Sequence, residues 1–311
     1  MRLHSKILTG TAILITAASA AGCSMQVPAG GRAPSASAAT SDSHDSSSGS
    51  LRTVHRAFAA LERRHDARLG VAAIDTGSGR EVTNREDERF PFASTNKVFI
   101  AAAVLAASTD ADLDTVVHFG RDDLLAYAPI TSRSVDSGMT VRELIDAALR
   151  FSDNTAANLL VERLGGPARV EEYLRSIGDR TTTVDRVEPD LNAATPGDPR
   201  DTATPEQFAV DLRRVVLGTV LGRSDRTLLR DTMLDNTTGA ATVRAGVDSA
   251  WPVADKTGTG EFGVRNDIAV VYPAGRAPIV VVVMTRKDTP HAATDDALVA
   301  AATRTAVGAL L

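Results

Sequence analysis

A single cysteine, Cys23, stands in a chain of 311 residues, so no disulfide can form within it. Aromatic residues are scarce at 4%, and no apolar run after the N-terminus is long enough to cross a bilayer. The net charge of −5 comes from interspersed acids and bases, without the basic block typical of nucleic-acid binding. The six histidines form neither a His-x-His nor a His-Glu-x-x-His pattern. We therefore expect no metal, no cofactor and no nucleic-acid partner.

Lysine is also rare: the chain has 34 Lys and Arg residues, and only four of them are lysines. One of the four, Lys97, stands three residues after Ser94 in the stretch "FASTNKV". An arginine cannot release its proton in a protein, whereas a lysine that is buried or crowded by positive charge can. On a helix the Ser94 and Lys97 side chains would share a face. The spacing indicates a serine beside a proton-exchanging lysine, although on its own it is also compatible with an ordinary surface lysine.

The first 22 residues have the pattern of an export signal, with Arg2 and Lys6 followed by an apolar stretch that ends in "AAGC". This ending is similar to that of bacterial lipoprotein signals, which implies cleavage before Cys23 and a lipid anchor on that cysteine. Cleavage slightly earlier, after "ASA", would instead release a secreted protein. Residues 23–50 are rich in Ser, Ala, Gly and Pro, a composition that predicts a flexible tether. We expect an exported protein whose folded domain spans 51–311.

The folded part is predicted to be an α/β domain of the α+β type. Two pairs of short apolar segments, at 69–84 and 265–287, predict hairpins near the two ends of the chain. Amphipathic helices are predicted from Leu51 and at the C-terminus, and 94–250 is mostly helical in pattern. We therefore expect an antiparallel sheet built from N- and C-terminal strands, flanked by helices, with an all-helical region inserted. The exception is 181–204, which has three prolines and no clear period, and a loop of this length is usually functional.

Three more short segments carry residues suited to chemistry. "SDN" occupies 152–154 at the junction of two predicted helices, and "KTG" occupies 256–258 just before a predicted strand. The long loop contains "RVEPDLN", which offers Glu188 and Asn192. Taken singly, each segment has an ordinary structural explanation: a helix cap, a surface turn and an acidic loop.

Ser-x-x-Lys, Ser-Asp-Asn and Lys-Thr-Gly in this order are the motif set of serine penicillin-recognising enzymes. With Glu-x-x-x-Asn between the second and third motifs, the chain resembles a class A β-lactamase, and the resemblance covers 51–311. It extends to Arg186 before the glutamate, to "RDT" at 200–202, to Trp251 and to Arg265. The resemblance implies the β-lactamase/D,D-peptidase-like fold and hydrolysis of the β-lactam ring through a serine acyl-enzyme.

The resemblance also implies roles for individual residues. Catalysis is expected from a nucleophile, a proton-exchanging amine, a proton relay and a base for the deacylating water, which are Ser94, Lys97, Ser152 and Glu188 respectively. Whether Lys97 or Glu188 is the base in acylation stays open. Substrate binding is expected from Tyr127, Asn154, Asn192, Lys256, Thr257, Gly258, Thr259 and Arg265. The backbone N–H groups of Ser94 and Thr259 would form the oxyanion hole.

The same resemblance assigns structural roles around the loop. Arg186 and Asp201 would pin it, and the Glu188-Pro189 peptide would be cis. Asp153 would be a buried acceptor that ties two segments together.

Three other functions are compatible with parts of the sequence. A D,D-peptidase shares the three motifs but would lack the loop with Glu188, and a non-hydrolysing β-lactam sensor needs no efficient deacylation base. "DTGS" at Asp75 and "DSG" at Asp136 mimic aspartic-protease signatures, but they are too close together for two lobes, and a hairpin turn explains the first better. We expect penicillins as substrates, leave cephalosporins open, and expect a monomer.

Overall fold

The computed structural model describes residues 43–311, so the predicted signal peptide and most of the predicted tether lie outside the described part. Its strands are β1 (Arg68–Asp75), β2 (Glu81–Asn84), β3 (Phe90–Pro91), β4 (Val116–Val117), β5 (Met139–Thr140), β6 (Thr202–Ala203), β7 (Val253–Thr259), β8 (Arg265–Val271) and β9 (Ile279–Arg286). Its helices are α1 (Ser43–His65), α2 (Lys97–Ala107), α3 (Asp110–Leu113), α4 (Val141–Arg150), α5 (Asn154–Leu164), α6 (Pro167–Ser176), α7 (Pro205–Val216), α8 (Arg223–Leu234), α9 (Val243–Gly246) and α10 (Asp296–Leu310). None of these helices has the length and apolarity needed to cross a membrane.

Five strands form one antiparallel sheet in the order β2-β1-β9-β8-β7. The N-terminal hairpin supplies β1 and β2, and the C-terminal part of the chain supplies the other three strands. Strand β1 pairs with β9 from Arg68 opposite Arg286 to Asp75 opposite Ile279. The sheet expected from the two ends of the chain is therefore confirmed, and both predicted hairpins belong to it.

Both faces of the sheet are buried, which explains why β9 is a continuous apolar run rather than an alternating one. Ile279, Val281 and Val283 belong to the core that the sheet forms with α1 and α10. Val280 and Val282 alternate with them and belong to the larger core, formed with the predicted helical insertion.

Helix α2 runs through this larger core. Its sequence KVFIAAAVLAA is apolar on all sides, and such a helix is stable only inside a protein. Phe92, just before it, and Phe99, within it, both pack on Phe208 of α7, with ring centroids 6.0 and 4.8 Å away. Because α2 begins at Lys97, this packing fixes a buried lysine at the helix N-terminus.

Three local features differ from the expectation. Helix α1 begins at Ser43, so residues 43–50 of the predicted tether are helical. Once the packed part of a helix has nucleated, each further residue adds a hydrogen bond at small cost. The spacing of Thr204 and Gln207 also predicts a capping box, in which each residue caps the other. Thr204 accepts the backbone N–H of Gln207 at the start of α7, but the Gln207 side chain donates to Asp211 instead of returning to the cap.

The third difference is the segment 256–258, which lies within β7 rather than before a strand. Pairing with β8 places Lys256 opposite Ile268 and Thr257 opposite Asp267. The polar residues and the glycine hide the strand pattern, and the neighbouring strand supplies the backbone partners that local propensity does not predict.

The long loop is held as predicted. Asp201 is fully buried and accepts hydrogen bonds from the backbone N–H groups of Asp185 and Arg186 at 2.9 and 3.0 Å. Its other oxygen lies 2.5 Å from Arg186 Nε. The Glu188-Pro189 peptide is cis. The "DTGSG" segment is a hairpin turn, in which Asp75 accepts the N–H of Gly77 at 2.9 Å.

Candidate active site

A cavity of about 360 Å³ opens where the edge strand β7 meets the helical insertion. Its lining consists of Ser94, Tyr127, Ser152, Asn154, Thr238, Thr257, Thr259 and Arg265. All of these except Thr238 are residues that the motifs predicted for catalysis or substrate binding. The fold therefore gathers segments that are far apart in sequence around one cavity.

Ser94 lies in a 3-10 turn, Ala93–Asn96, which leads directly into α2. Ala93 has a φ of 48°, a left-handed conformation that a residue with a Cβ adopts only when its surroundings hold it. Gly258 of β7 passes against this turn, and a Cβ there would lie 2.9 Å from Phe92 O and 3.2 Å from Ser94 N. The glycine thus lets β7 approach Ser94 closely enough to form one wall of the cavity.

Lys97 is 2% exposed, and its ammonium group faces three principal acceptors. These are Asn154 Oδ1 at 2.6 Å, Ser152 O at 2.8 Å and Glu188 Oε1 at 3.0 Å. An ammonium has three donors and no acceptor, so these partners match the charged form. Burial lowers the pKa of Lys97, and the Glu188 carboxylate offsets part of that shift. The amine is held where it can exchange a proton.

Glu188 connects the long loop to the serine. Its carboxylate accepts a hydrogen bond from Ser94 Oγ at 3.0 Å and another from Asn192 Nδ2 at 2.5 Å. Its backbone is held by one amide side chain: Glu188 N donates to Asn158 Oδ1 at 3.0 Å, and Asn158 Nδ2 donates to Glu188 O at 2.8 Å. The result is a carboxylate, 2% exposed, in contact with both Ser94 and Lys97.

Ser152 stands between the two buried lysines. Its Oγ lies 3.0 Å from Lys256 Nζ and 3.3 Å from Lys97 Nζ. Both ammonium groups are donors only, so the hydroxyl proton of Ser152 is left to point into the cavity. The pKa of Lys256 is lowered to about 7; burial is the larger cause, and the positive charge of Lys97 is the second.

The remaining wall presents hydrogen-bond donors from β7 and β8. Arg265 Nη1 donates to Thr259 Oγ1 at 3.1 Å, and Arg265 Nε donates to Asp296 at 2.5 Å. The Thr257 hydroxyl lies 2.6 Å from that of Thr238. A guanidinium and hydroxyls at one end of a cavity suit a carboxylate ligand.

Asp153 and Tyr127 are two further residues for which the sequence predicted roles. Asp153 is fully buried and accepts hydrogen bonds from the backbone N–H groups of Ile130, Thr131 and Ala156, each at 2.9 Å. It therefore ties the start of α5 to the segment before α4, as expected of a structural acceptor. Tyr127 is 52% exposed at the cavity, so it is not a core tyrosine.

Two residues of the site were not predicted, Asn158 and Thr238. Asn158 lies one turn after Asn154 on α5, where a polar residue is typical of any helix surface. Thr238 stands in "NTTG", which belongs to none of the motifs. Asn158 is identified only by its contacts with Glu188, and Thr238 only by its contact with Thr257.

Comparison with known proteins agrees with this geometry. Residues 53–310 match the family described as the β-lactamase enzyme family. A crystal structure of a class A β-lactamase from Clostridium kluyveri has a TM-score of 0.82 to this chain, at 43% identity, and the match covers 83% of this chain and 99% of that one. The chain belongs to the class A β-lactamases.

Other β-lactamases are similar at higher identity. One from Amycolatopsis lactamdurans is 54% identical over 257 residues, which are 83% of this chain and 85% of that protein. β-Lactamase AST-1 from Nocardia asteroides is 50% identical over 255 residues, 81% of this chain and 82% of that protein. The activity of this class A β-lactamase is the hydrolysis of β-lactams, the reaction that underlies antibiotic resistance. The family, fold and activity expected from the motifs are confirmed.

Proposed function

We propose that this β-lactamase hydrolyses penicillins through an acyl-enzyme on Ser94. The observation that carries the proposal is the Glu188 carboxylate, which lies 3.0 Å from both Ser94 Oγ and Lys97 Nζ beside a cavity lined with donors. A monomer is the proposed active form, because Ser94, Lys97, Ser152 and Glu188 already meet within a single chain.

Acylation would begin with attack of Ser94 Oγ on the lactam carbonyl carbon. The serine hydroxyl points at Glu188 Oε1, while Lys97 has its donors engaged, which favours Glu188 as the acceptor of the serine proton. The backbone N–H groups of Ser94 and Thr259 would stabilise the oxyanion, and one such donor is worth about 3–4 kcal/mol.

The lactam nitrogen needs a proton as the C–N bond breaks. Ser152 would supply it, because both lysines donate to its oxygen and leave its hydroxyl proton free. Either lysine can then return a proton to Ser152, and the lowered pKa of Lys256 favours that transfer. The serine proton held by Glu188 would pass back through Lys97, 3.0 Å away, to the lysine that gave up its proton, so Glu188 is ionised again before deacylation.

Substrate would be oriented by charge and hydrogen bonds. Lys256, Thr257 and Arg265 are proposed to hold the carboxylate of the drug, and Asn154 to hold its side-chain amide. Tyr127 would form the wall at the cavity mouth, and Gly258 admits the substrate close to β7 for the same reason that it admits Ser94.

Deacylation distinguishes a hydrolase from a protein that only binds the drug. Glu188 would remove a proton from the attacking water, with Asn192 fixing the orientation of the carboxylate. General-base catalysis of this kind contributes about 10² to 10⁴-fold. The acyl-enzyme ester then breaks and Ser94 recovers its proton.

The experiment compares Ser94→Ala with Glu188→Ala by mass spectrometry after mixing with a penicillin. Glu188→Ala keeps the nucleophile, and Lys97 can partly replace the lost acylation base, so this variant should gain the mass of the intact drug more slowly than wild type and then hold it. Wild type should show the adduct only briefly and Ser94→Ala not at all. Glu261→Ala, an exposed glutamate in the β7–β8 turn, is the matched control and should behave as wild type. Wild-type turnover by Glu188→Ala would show that the assigned base is wrong.

We also propose that the exported enzyme is anchored by a lipid on Cys23, because "AAGC" ends its signal segment. Class A enzymes are exported, which supports export of this chain but not the anchor itself. Wild type should then sediment with membranes, and Cys23→Ser should move to the soluble fraction. Equal solubility of the two would favour plain secretion.

A further inference from the structure

Two buried carboxyl groups meet where the two ends of the Glu188 loop, residues 181–204, come together, which we call the neck of the loop. Asp179 stands just before the loop, and Asp211 is on α7, which begins directly after it. Both side chains are fully buried, and the two carboxyl groups are in hydrogen-bonding contact with each other.

The other hydrogen bonds of this pair leave one oxygen of each carboxyl group without a donor. Asp179 Oδ1 accepts the backbone N–H groups of Thr181 and Thr182 at 2.7 and 3.0 Å. Asp211 Oδ1 accepts Gln207 Nε2 at 2.9 Å. The Oδ2 atoms of both aspartates are buried without a partner. Two ionised carboxylates have no hydrogen to share, so the contact between them requires a proton.

The charged and titratable neighbours do not remove this requirement. Arg175 Nη1 lies 3.6 Å from Asp179 Oδ1, and Arg214 Nη1 lies 3.4 Å from Asp211 Oδ1, so both arginines approach the oxygens that already have donors. Arg175 is also paired with Glu171 at 2.9 Å. Tyr173 on α6 also interacts with Asp211; its hydroxyl is buried without a hydrogen-bond partner, and burial raises its pKa.

The pKa values of the two carboxyl groups are shifted in opposite directions, as expected when the groups share one proton. Burial, together with the charge of Asp179, raises the pKa of Asp211 to about 8. Burial also acts to raise the pKa of Asp179, but its hydrogen bonds with Thr182 and Thr181 lower it on balance. One carboxyl group of the pair holds the proton and the other accepts it.

We propose that Asp211 is a positioning residue for the known reaction: it shares a proton with Asp179, and this proton closes the neck of the loop that carries Glu188. Nearby contacts continue the closure, since Thr183 N donates to Thr202 O at 3.1 Å across the loop ends. The effect on turnover rests on the proposed role of Glu188, but the closure itself does not.

Proton linkage gives the closure a distinctive pH dependence. When the neck opens, both carboxyl groups meet water and Asp211 returns toward its ordinary pKa of 3.8. Between that value and about 8 the closed form holds one proton more than the open form. The raised pKa therefore stabilises the closed neck most at low pH, and the opening equilibrium grows about tenfold per pH unit across this window.

Hydrogen exchange of the full chain measures this directly. Intrinsic amide exchange itself rises about tenfold per pH unit, so loop amides of the wild type should accelerate about a hundredfold per unit between about pH 6 and 8. Amides of α10 should accelerate only about tenfold and serve as the internal reference. In Asp211→Asn the amide donates permanently to Asp179, so the loop amides should also accelerate only about tenfold per unit.

Asp198→Asn is the matched control, because Asp198 is on the same loop but its hydrogen bonds with Arg200 lower its pKa to about 2. It should keep the steep wild-type dependence. A shallow dependence in the wild type, or a steep one retained in Asp211→Asn, would overturn the shared proton. Should Asp211→Asn fail to fold, Asp179→Asn gives the same test: a shallow slope supports the proposal and a steep one refutes it. In the activity assay, Asp211→Leu, which has a similar shape but no hydrogen to donate, should slow deacylation, whereas Asp211→Asn should keep it. A purely steric role would leave the two variants alike.

Discussion

Removing Arg186 should open the long loop locally and leave the rest of the domain folded. Asp201, its partner, is fully buried and accepts hydrogen bonds from two backbone N–H groups besides the guanidinium. In Arg186→Ala the carboxylate keeps these two hydrogen bonds and loses the one cation that forms an ion pair with it among residues 43–311. Opening of the loop returns the unpaired carboxylate to water, so the open form is more populated in the variant than in the wild type.

The size of the effect follows from burial. Breaking a buried ion pair by removing one partner costs about 3–5 kcal/mol. The Arg186 side chain is 19% exposed, so the lower end applies. About 3 kcal/mol corresponds to a roughly hundredfold larger opening equilibrium. Hydrogen exchange should therefore accelerate by roughly two orders of magnitude in residues 181–204 and stay unchanged in β8 and β9.

Arg200→Ala provides the control on the same loop. Arg200 is 55% exposed and pairs with Asp198 at the surface, where an ion pair contributes little. Its exchange profile should match the wild type. If Arg186→Ala accelerated exchange equally in the loop and in the central sheet, the pair would stabilise the whole domain, and the local argument would be refuted. Unchanged exchange everywhere would show that Asp201 needs no counterion.

Two further results are expected. The pKa of Lys256, about 7, means that the free enzyme loses this charge as the pH rises; kcat/KM for an anionic penicillin should fall up to about tenfold per pH unit above that value, and Lys256→Arg should flatten the profile because arginine stays charged. A flat wild-type profile up to about pH 9 would show that Lys256 remains protonated. Thr140→Ala removes a reciprocal cap of α4 and should cost about 1 kcal/mol, or about 2–4 °C in Tm by calorimetry, whereas Thr140→Ser should be neutral.

The sheet and its helical insertion could be predicted because local signals there agree with the fold. The segments 69–84 and 265–287 combine apolar β-formers with turn residues, and the helices between them keep their period. Strand β7 could not be predicted in the same way, because this edge strand carries the buried residues Lys256, Thr257 and Gly258 for the site rather than apolar β-formers for packing. A functional site is where local propensity and global fold are expected to disagree.

The residues of the site also divide into those that the sequence could predict and those that it could not. Motif residues could be named from the sequence, since their chemistry requires particular side chains at particular spacings. Asn158 and Thr238 could not, because an amide or a hydroxyl acquires its role only from the atoms that the fold places beside it. The shared proton of Asp179 and Asp211 is the extreme case, in which neither position carries any signal and only the lack of a donor between two buried oxygens points to it.

The scarcity of lysine acquires a physical meaning in the folded enzyme. The described residues contain three lysines, and two of them, Lys97 and Lys256, are buried around the cavity with lowered pKa values, while Lys287 is half-buried. Arg186 and Arg265, by contrast, form ion pairs with aspartates at 2.5 Å. A guanidinium keeps its charge and its planar geometry, so it suits a fixed contact that shapes a loop or a wall. An amine whose charged form is penalised by burial suits a proton that must move during each turnover, and an arginine at position 97 or 256 would hold that proton permanently.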